Sequence, residues 1–128
     1  MKVLLDTCTF LWLTLEHEKL SPLAAITIND EANEFFLSDV SLWEISLKNL
    51  AGKLPLPDSP EVWLREQRSF HNLTPLAIRE TAIFLTSNLP AVHSDPFDRL
   101  IAAQAIENHL TILSPDRPLS LLGANRIW

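Results

Sequence analysis

Four carboxylates stand where a folded α/β chain would bring acids together: Asp6, Glu44, Asp98 and Asp116. Each reads as lying at the carboxyl end of a strand or on the helix just after it, the edge where open α/β sheets bind ligands. Brought within roughly 5 Å, each pair repels by about 3 kcal/mol at an effective dielectric of about 20, so the cluster requires protonation or bound cations. Oxygen donors without His or Cys suit Mg²⁺ or Mn²⁺ rather than Zn²⁺. Two such ions would bring the formal charge of −6 to about −2 and could supply the attraction that a phosphate needs.

Each acid also has a plainer reading. Asp6 could cap the first helix, and Glu44 could pair with Lys48 one turn on. Asp95-Pro96-Phe97-Asp98 has the form of a helix start, with Asp95 as N-cap and Asp98 in the first turn. Ser114-Pro115-Asp116-Arg117 has the form of a type I turn. Against these, Asp6 abuts the apolar run Val3-Leu4-Leu5, and Glu44 sits between Trp43 and Ile45. Neither is a usual setting for a surface charge.

Composition narrows the class. The 128 residues suit one domain spanning 1–128, and 47% hydrophobic residues are enough for a core. No apolar run reaches the ~18 residues of a membrane span. Asp6 interrupts the N-terminus too early for a secretory signal. The lone Cys8 excludes an internal disulfide framework and a Cys-rich zinc site, which makes a reducing cytoplasm the simplest compartment. Ten basic against sixteen acidic residues, with no basic run, exclude a broad cationic nucleic-acid face. With only Gly52 and Gly123, no glycine-rich phosphate cradle can be written.

The elements that must position the acids follow from patterning. Val3–Leu5 predicts a buried parallel strand, and Thr7 to Glu16 a helix that is apolar nearly all round. Ser21-Pro22 starts a helix to about Ala32, and Glu34–Ser38 is a strand. Asp39 opens an amphipathic helix to Ala51, stopped by Gly52. Helices follow at Pro60 to Phe70, Ile78 to Asn88 and Asp95-Pro96 to His109. Leu73–Leu76 suits an edge strand because it holds Pro75, and Leu110–Leu113 and Arg126–Trp128 are further strands. The alternation predicts α/β architecture with a mostly parallel sheet. Trp12, Trp43 and Trp63, at helical spacing among aliphatics, read as core or interface rather than base-stacking platforms.

These residues resemble the PIN-domain family, and within it the VapC-type toxins of bacterial toxin–antitoxin pairs. The matching pieces are Leu4-Leu5-Asp6-Thr7, Val40-Ser41-Leu42-Trp43-Glu44-Ile45 with Gly52-Lys53-Leu54-Pro55-Leu56, Asp95-Pro96-Phe97-Asp98-Arg99-Leu100-Ile101-Ala102-Ala103-Gln104-Ala105, and Leu110-Thr111-Ile112-Leu113-Ser114-Pro115-Asp116. They stand in family order and span nearly the whole chain. The resemblance implies a three-layer α/β/α fold and a metal-dependent endoribonuclease using Mg²⁺ or Mn²⁺. It places the catalytic and metal-binding acids on Asp6, Glu44, Asp98 and Asp116. It also implies an RNA substrate, a cognate antitoxin and a homodimer, and puts helical surfaces near the active site in contact with partners.

Around the acids, Thr7 and Ser114 match positions where small hydroxyl residues support the carboxylates or a bound water. Asp95 reads as a cap and outer acid, and Lys48 and Arg99 as the phosphate-contacting cations. His93 could approach the phosphate, but a loop histidine reads more simply as solvated. Cys8 stands where many relatives carry His, and Ser114-Pro115-Asp116 replaces a commoner Thr-x-Asp. A phosphatase of the haloacid-dehalogenase type would need a second acid where Cys8 lies. A receiver domain would need acids just before its first helix together with a phosphorylatable Asp on a middle strand, and that arrangement is missing. A non-catalytic PIN-like binding module is disfavoured by the intact quartet.

Overall fold

Val3, Leu4 and Leu5 are completely buried because the strand that carries them, β1 (Lys2–Leu5), lies in the middle of the sheet with helices over both faces. The computed structural model describes residues Met1–Trp128. Beside β1 run β2 (Glu34–Ser38) on one side and β4 (Thr111–Leu113) on the other; β3 (Thr74–Leu76) and β5 (Arg126–Ile127) form the edges. All four pairings are parallel, so the sheet is wholly rather than mostly parallel. Pro75 sits on edge strand β3, where its missing N–H costs no ladder bond.

Strand alternation divides the core into two layers. Val3, Leu5, Leu37 and Leu113 face one side and pack with Phe10 and Leu13 of α1 (Thr7–Leu15), Ala24 of α2 (Pro22–Asn29), Ile45 of α3 (Asp39–Leu50) and Trp63 and Leu64 of α4 (Pro60–Phe70). Leu4 and Ile112 face the other side. They pack with Val40 and with Ile101, Ala102 and Ala105 of α6 (Pro96–Asn108), alongside Leu119 of α7 (Pro118–Leu121). The remaining helix, α5 (Glu80–Thr86), lies against α6. This is the expected three-layer α/β/α arrangement. No helix is long and apolar enough to cross a membrane.

Several boundaries differ from expectation for local reasons. Helix α2 stops at Asn29 rather than about Ala32 because the Asp30 carboxylate accepts from the Ala32 amide (3.0 Å) and turns the chain. Helix α5 is confined to Glu80–Thr86, since Arg79 takes an extended backbone at its start. The single turn α7 was not expected: four residues are too few to show a period, although Pro118 at its start and buried Leu119 account for it. Trp63 is buried edge-on to Phe10, and Trp12 packs on Trp128, whereas Trp43 is 55% exposed against Phe97 and so lies outside the core.

Candidate active site

The sheet order changes direction at β1, with β2 on one side and β4 on the other, and a crevice opens beyond the carboxyl ends at that point. A cleft of about 490 Å³ lies there. Its acidic lining comprises Asp6, Glu16, Glu44, Asp95, Asp98 and Asp116, against a single cationic side chain, Lys48. An apolar wall of Leu11, Trp12, Leu15 and Leu54 completes it.

Asp6 follows β1 directly and is 3% exposed. Its Oδ1 accepts from the Thr9 amide (2.8 Å) and caps α1, while its Oδ2 accepts from the Ser114 hydroxyl (2.5 Å). The capping and cleft readings therefore hold together. Burial pushes the Asp6 carboxyl above the usual carboxylate range, against the hydrogen bonds of Ser114 and Thr9, and the charge of Asp116 adds to the rise. Ser114 in turn accepts from the Asp116 amide (2.9 Å), so one hydroxyl after β4 links the two acids.

Glu44 shows a similar division. Its Oε2 pairs with Lys48 Nζ at 2.7 Å, as helical spacing predicts. Its Oε1 is buried with no hydrogen-bond partner. A buried, unpartnered carboxylate oxygen is costly in a closed metal-free protein. Such an atom, beside three further acids on an oxygen-rich wall, fits a divalent cation.

Asp98 lies in the first turn of α6, whose N-cap is Asp95 through the Phe97 amide (2.9 Å). Burial and then the charge of Asp95 raise the Asp98 carboxyl to about 7, opposed by a hydrogen bond from His93 and reinforced by Asp116 and Asp6. That imidazole is the principal departure from expectation. Its Nε2 lies 2.9 Å from Asp98 Oδ2 and 3.2 Å from Asp116 Oδ2, so His93 joins the acids rather than standing in solvent. Burial favours neutral His93, but the bonds and charges of Asp98 and Asp116 outweigh it and raise its pKa.

Two expected auxiliary residues have other partners. Arg99 does not face the cleft as a phosphate contact: its guanidinium donates to the carbonyl oxygens of Thr86, Leu89, Pro90 and His93 at 2.6–3.1 Å. Thr7 also lines the cleft, but its hydroxyl donates to buried Ser41 (2.9 Å), joining α1 to α3 rather than bonding an acid. Lys48 and Asp95 do line the cleft. Cys8 lines it too, but burial and the charge of Asp6 push the thiol up to about 11, where it is no nucleophile at neutral pH.

Comparison with known proteins defines the class. Residues 3–124 match the family model of the PIN domain, and the chain belongs to that family. Ribonuclease VapC22 of Mycobacterium tuberculosis (strain ATCC 25618 / H37Rv) is 32% identical, over 91% of this chain and 88% of its own. Among solved structures, VapBC2 from Rickettsia felis bound to a promoter DNA fragment superposes with a TM-score of 0.74 at 16% identity, covering 99% of this chain and 98% of that one. DNA-bound VapBC from Salmonella typhimurium gives 0.70 at 19% identity, with 99% and 97% covered. At those identities the structural matches speak for the fold.

Proposed function

We propose that this chain is a metal-dependent endoribonuclease, the toxin of a VapBC-type toxin–antitoxin module. The observation that carries the reading is Glu44, whose buried Oε1 has no hydrogen-bond partner, lining one cleft with Asp6, Asp98 and Asp116. Membership of the PIN family and the likeness to Ribonuclease VapC22 support it.

Asp6, Glu44, Asp98 and Asp116 would hold the cation, Mg²⁺ or Mn²⁺. When bound, a divalent ion supplies an acidified water and positive charge for the phosphate ester. Ser114 fixes the rotamer of Asp6, and Lys48 fixes Glu44 through its Oε2. Leu11 and Trp12 offer an apolar wall beside the acids, suited to bases or to a partner helix.

A nuclease of this kind requires restraint in its own cell. A cognate antitoxin would cover the cleft with a basic or amphipathic segment, an Arg facing the carboxylates. The same reading makes the chain one domain over 1–128, cytoplasmic and homodimeric. Incubation with single-stranded or stem-loop RNA tests the activity. Cleavage is expected with Mg²⁺ or Mn²⁺, none in EDTA, and little from Asp98→Ala. Undiminished cleavage by Asp98→Ala would place the activity elsewhere.

A further inference from the structure

His93 occupies a position that neither capping nor solvation explains. It lies in the loop before α6, yet its Nε2 is within hydrogen-bond distance of Asp98 and Asp116 together, and the three donor atoms all lie within 4.8 Å of one another. Ligand atoms about 2.1 Å from an octahedral ion, at right angles, are separated by about 3.0 Å. The two observed separations, 2.9 and 3.2 Å, bracket that edge length. The same spacing also suits an Nε2–H shared between two carboxylates, which is how the imidazole serves them when no ion is present.

The loop is built to hold the ring there. Arg99 Nη1 donates to the His93 carbonyl (3.0 Å), while the same guanidinium ties down Thr86, Leu89 and Pro90. A solvated histidine would need no such anchorage. Glu44, whose buried Oε1 has no hydrogen-bond partner, lines the adjoining cleft with Asp98 and Asp116 and independently fits a cation there. Resting on the metal-site reading above, we propose that His93 Nε2 is a ligand of the cation held by Asp98 and Asp116, giving a mixed nitrogen–oxygen site selective for Mn²⁺ over Mg²⁺.

The chemistry follows from donor type. Mg²⁺ is a hard ion that keeps oxygen ligands and water, whereas a neutral imidazole binds later divalent metals more readily. Binding through Nε2 leaves the ring proton on Nδ1. With His93 removed, the remaining donors are all oxygen and the site loses its reason to distinguish the two ions.

Pulsed electron paramagnetic resonance on the full chain loaded with Mn²⁺ alone, with and without ¹⁵N-histidine, reads the bond directly. A directly coordinated nitrogen is expected in the parent and absent from His93→Gln. In competition titrations the Mn²⁺-over-Mg²⁺ preference should fall at least tenfold in that variant. Oxygen-only Mn²⁺ binding in the parent overturns the role of His93 and leaves the acidic site standing; this arm needs no variant to fold. Nitrogen coupling retained by a folded His93→Gln, or an unchanged preference, also overturns it. Failure of the parent to bind either ion removes the metal-site reading itself.

Discussion

The guanidinium of Arg99 donates to the backbone oxygen of His93 at 3.0 Å, so a residue on α6 fixes the loop that lays an imidazole across Asp98 and Asp116. Four carbonyls share that guanidinium, two of them at 2.6 and 2.7 Å. A lysine ammonium is a point donor and cannot span them. Arg99→Lys is therefore expected to cost about 1.5–3 kcal/mol in urea denaturation, the range for hydrogen bonds to a charged group. Amide exchange should quicken between Ser87 and Ser94. Unchanged stability and exchange would contradict the clamp.

Ser114 joins Asp6 to the amide of Asp116, with its hydroxyl fully buried. Ser114→Ala leaves a buried acceptor short of a donor and should destabilise by about 1–3 kcal/mol. It should also raise the Asp6 pKa further, because the Ser114 bond is the largest influence lowering it. Ser114→Thr keeps the hydroxyl and should recover most of both effects, as read by thermal denaturation and carboxyl ¹³C titration. Equal behaviour of Ala and Thr would place the effect in packing rather than in this bond.

Glu44 gives a prediction with opposite signs for stability and for metal binding. Its buried Oε1 has no partner, and its acidic neighbours repel it. Glu44→Gln removes the charge and should raise the melting temperature of the metal-free chain while reducing the rise that Mn²⁺ produces by native-state binding. A scanning fluorimetry series against Mn²⁺ concentration checks both. An intact metal-dependent rise would exclude Glu44 from the site.

The sequence made much of this arrangement readable, and the limit is physical. Asp6 and Asp95 announced themselves as caps, Glu44 as a partner of Lys48, and strand β2 was bounded by its own residue pattern. All of these are contacts within a few residues, where spacing decides geometry. His93 and Arg99 escaped because their roles depend on a loop path set by four backbone carbonyls, to which no side-chain pattern corresponds. The Ser114–Asp6 bond joins residues at opposite ends of the chain, brought together only because β1 and β4 pair in parallel.

Proton linkage supplies a further check. Asp98 is raised to about 7 from an ordinary 3.8, first by burial and then by Asp95; Asp6 is raised by burial, and His93 is raised by its two acidic partners. Each group binds its proton more tightly folded than unfolded. For Asp98 the resulting stability is full below about 4 and is lost as pH rises through about 7; for His93 it is full below about 6.5 and lost above. The metal-free protein should thus melt higher at about pH 5.5 than at about pH 8. Saturating Mn²⁺ should weaken or reverse that order, since metal ligands must be deprotonated. A metal-free melting temperature that climbs from acid to alkaline pH would contradict these shifts.

The chemistry of cleavage leaves a signature on its products. No side chain in the cleft is suited to attack phosphorus: the Cys8 thiol lies near 11 and Thr7 is committed to Ser41. His93 is the sole histidine bonded to the acids, so the paired histidines that would activate a ribose 2′-hydroxyl and protonate the leaving oxygen are missing. Water is the remaining nucleophile, and attack by water with loss of the 3′ oxygen leaves 5′-phosphate and 3′-hydroxyl ends. Because Asp6, Glu44, Asp98 and Asp116 are proposed to act as one unit, single replacements by Ala should each remove most of the activity, and double replacements should add little. End-labelling the fragments decides between the routes: cyclic phosphate ends would mean that the 2′-hydroxyl attacks, and strictly additive losses in the double variants would mean that the four carboxylates do not share one site.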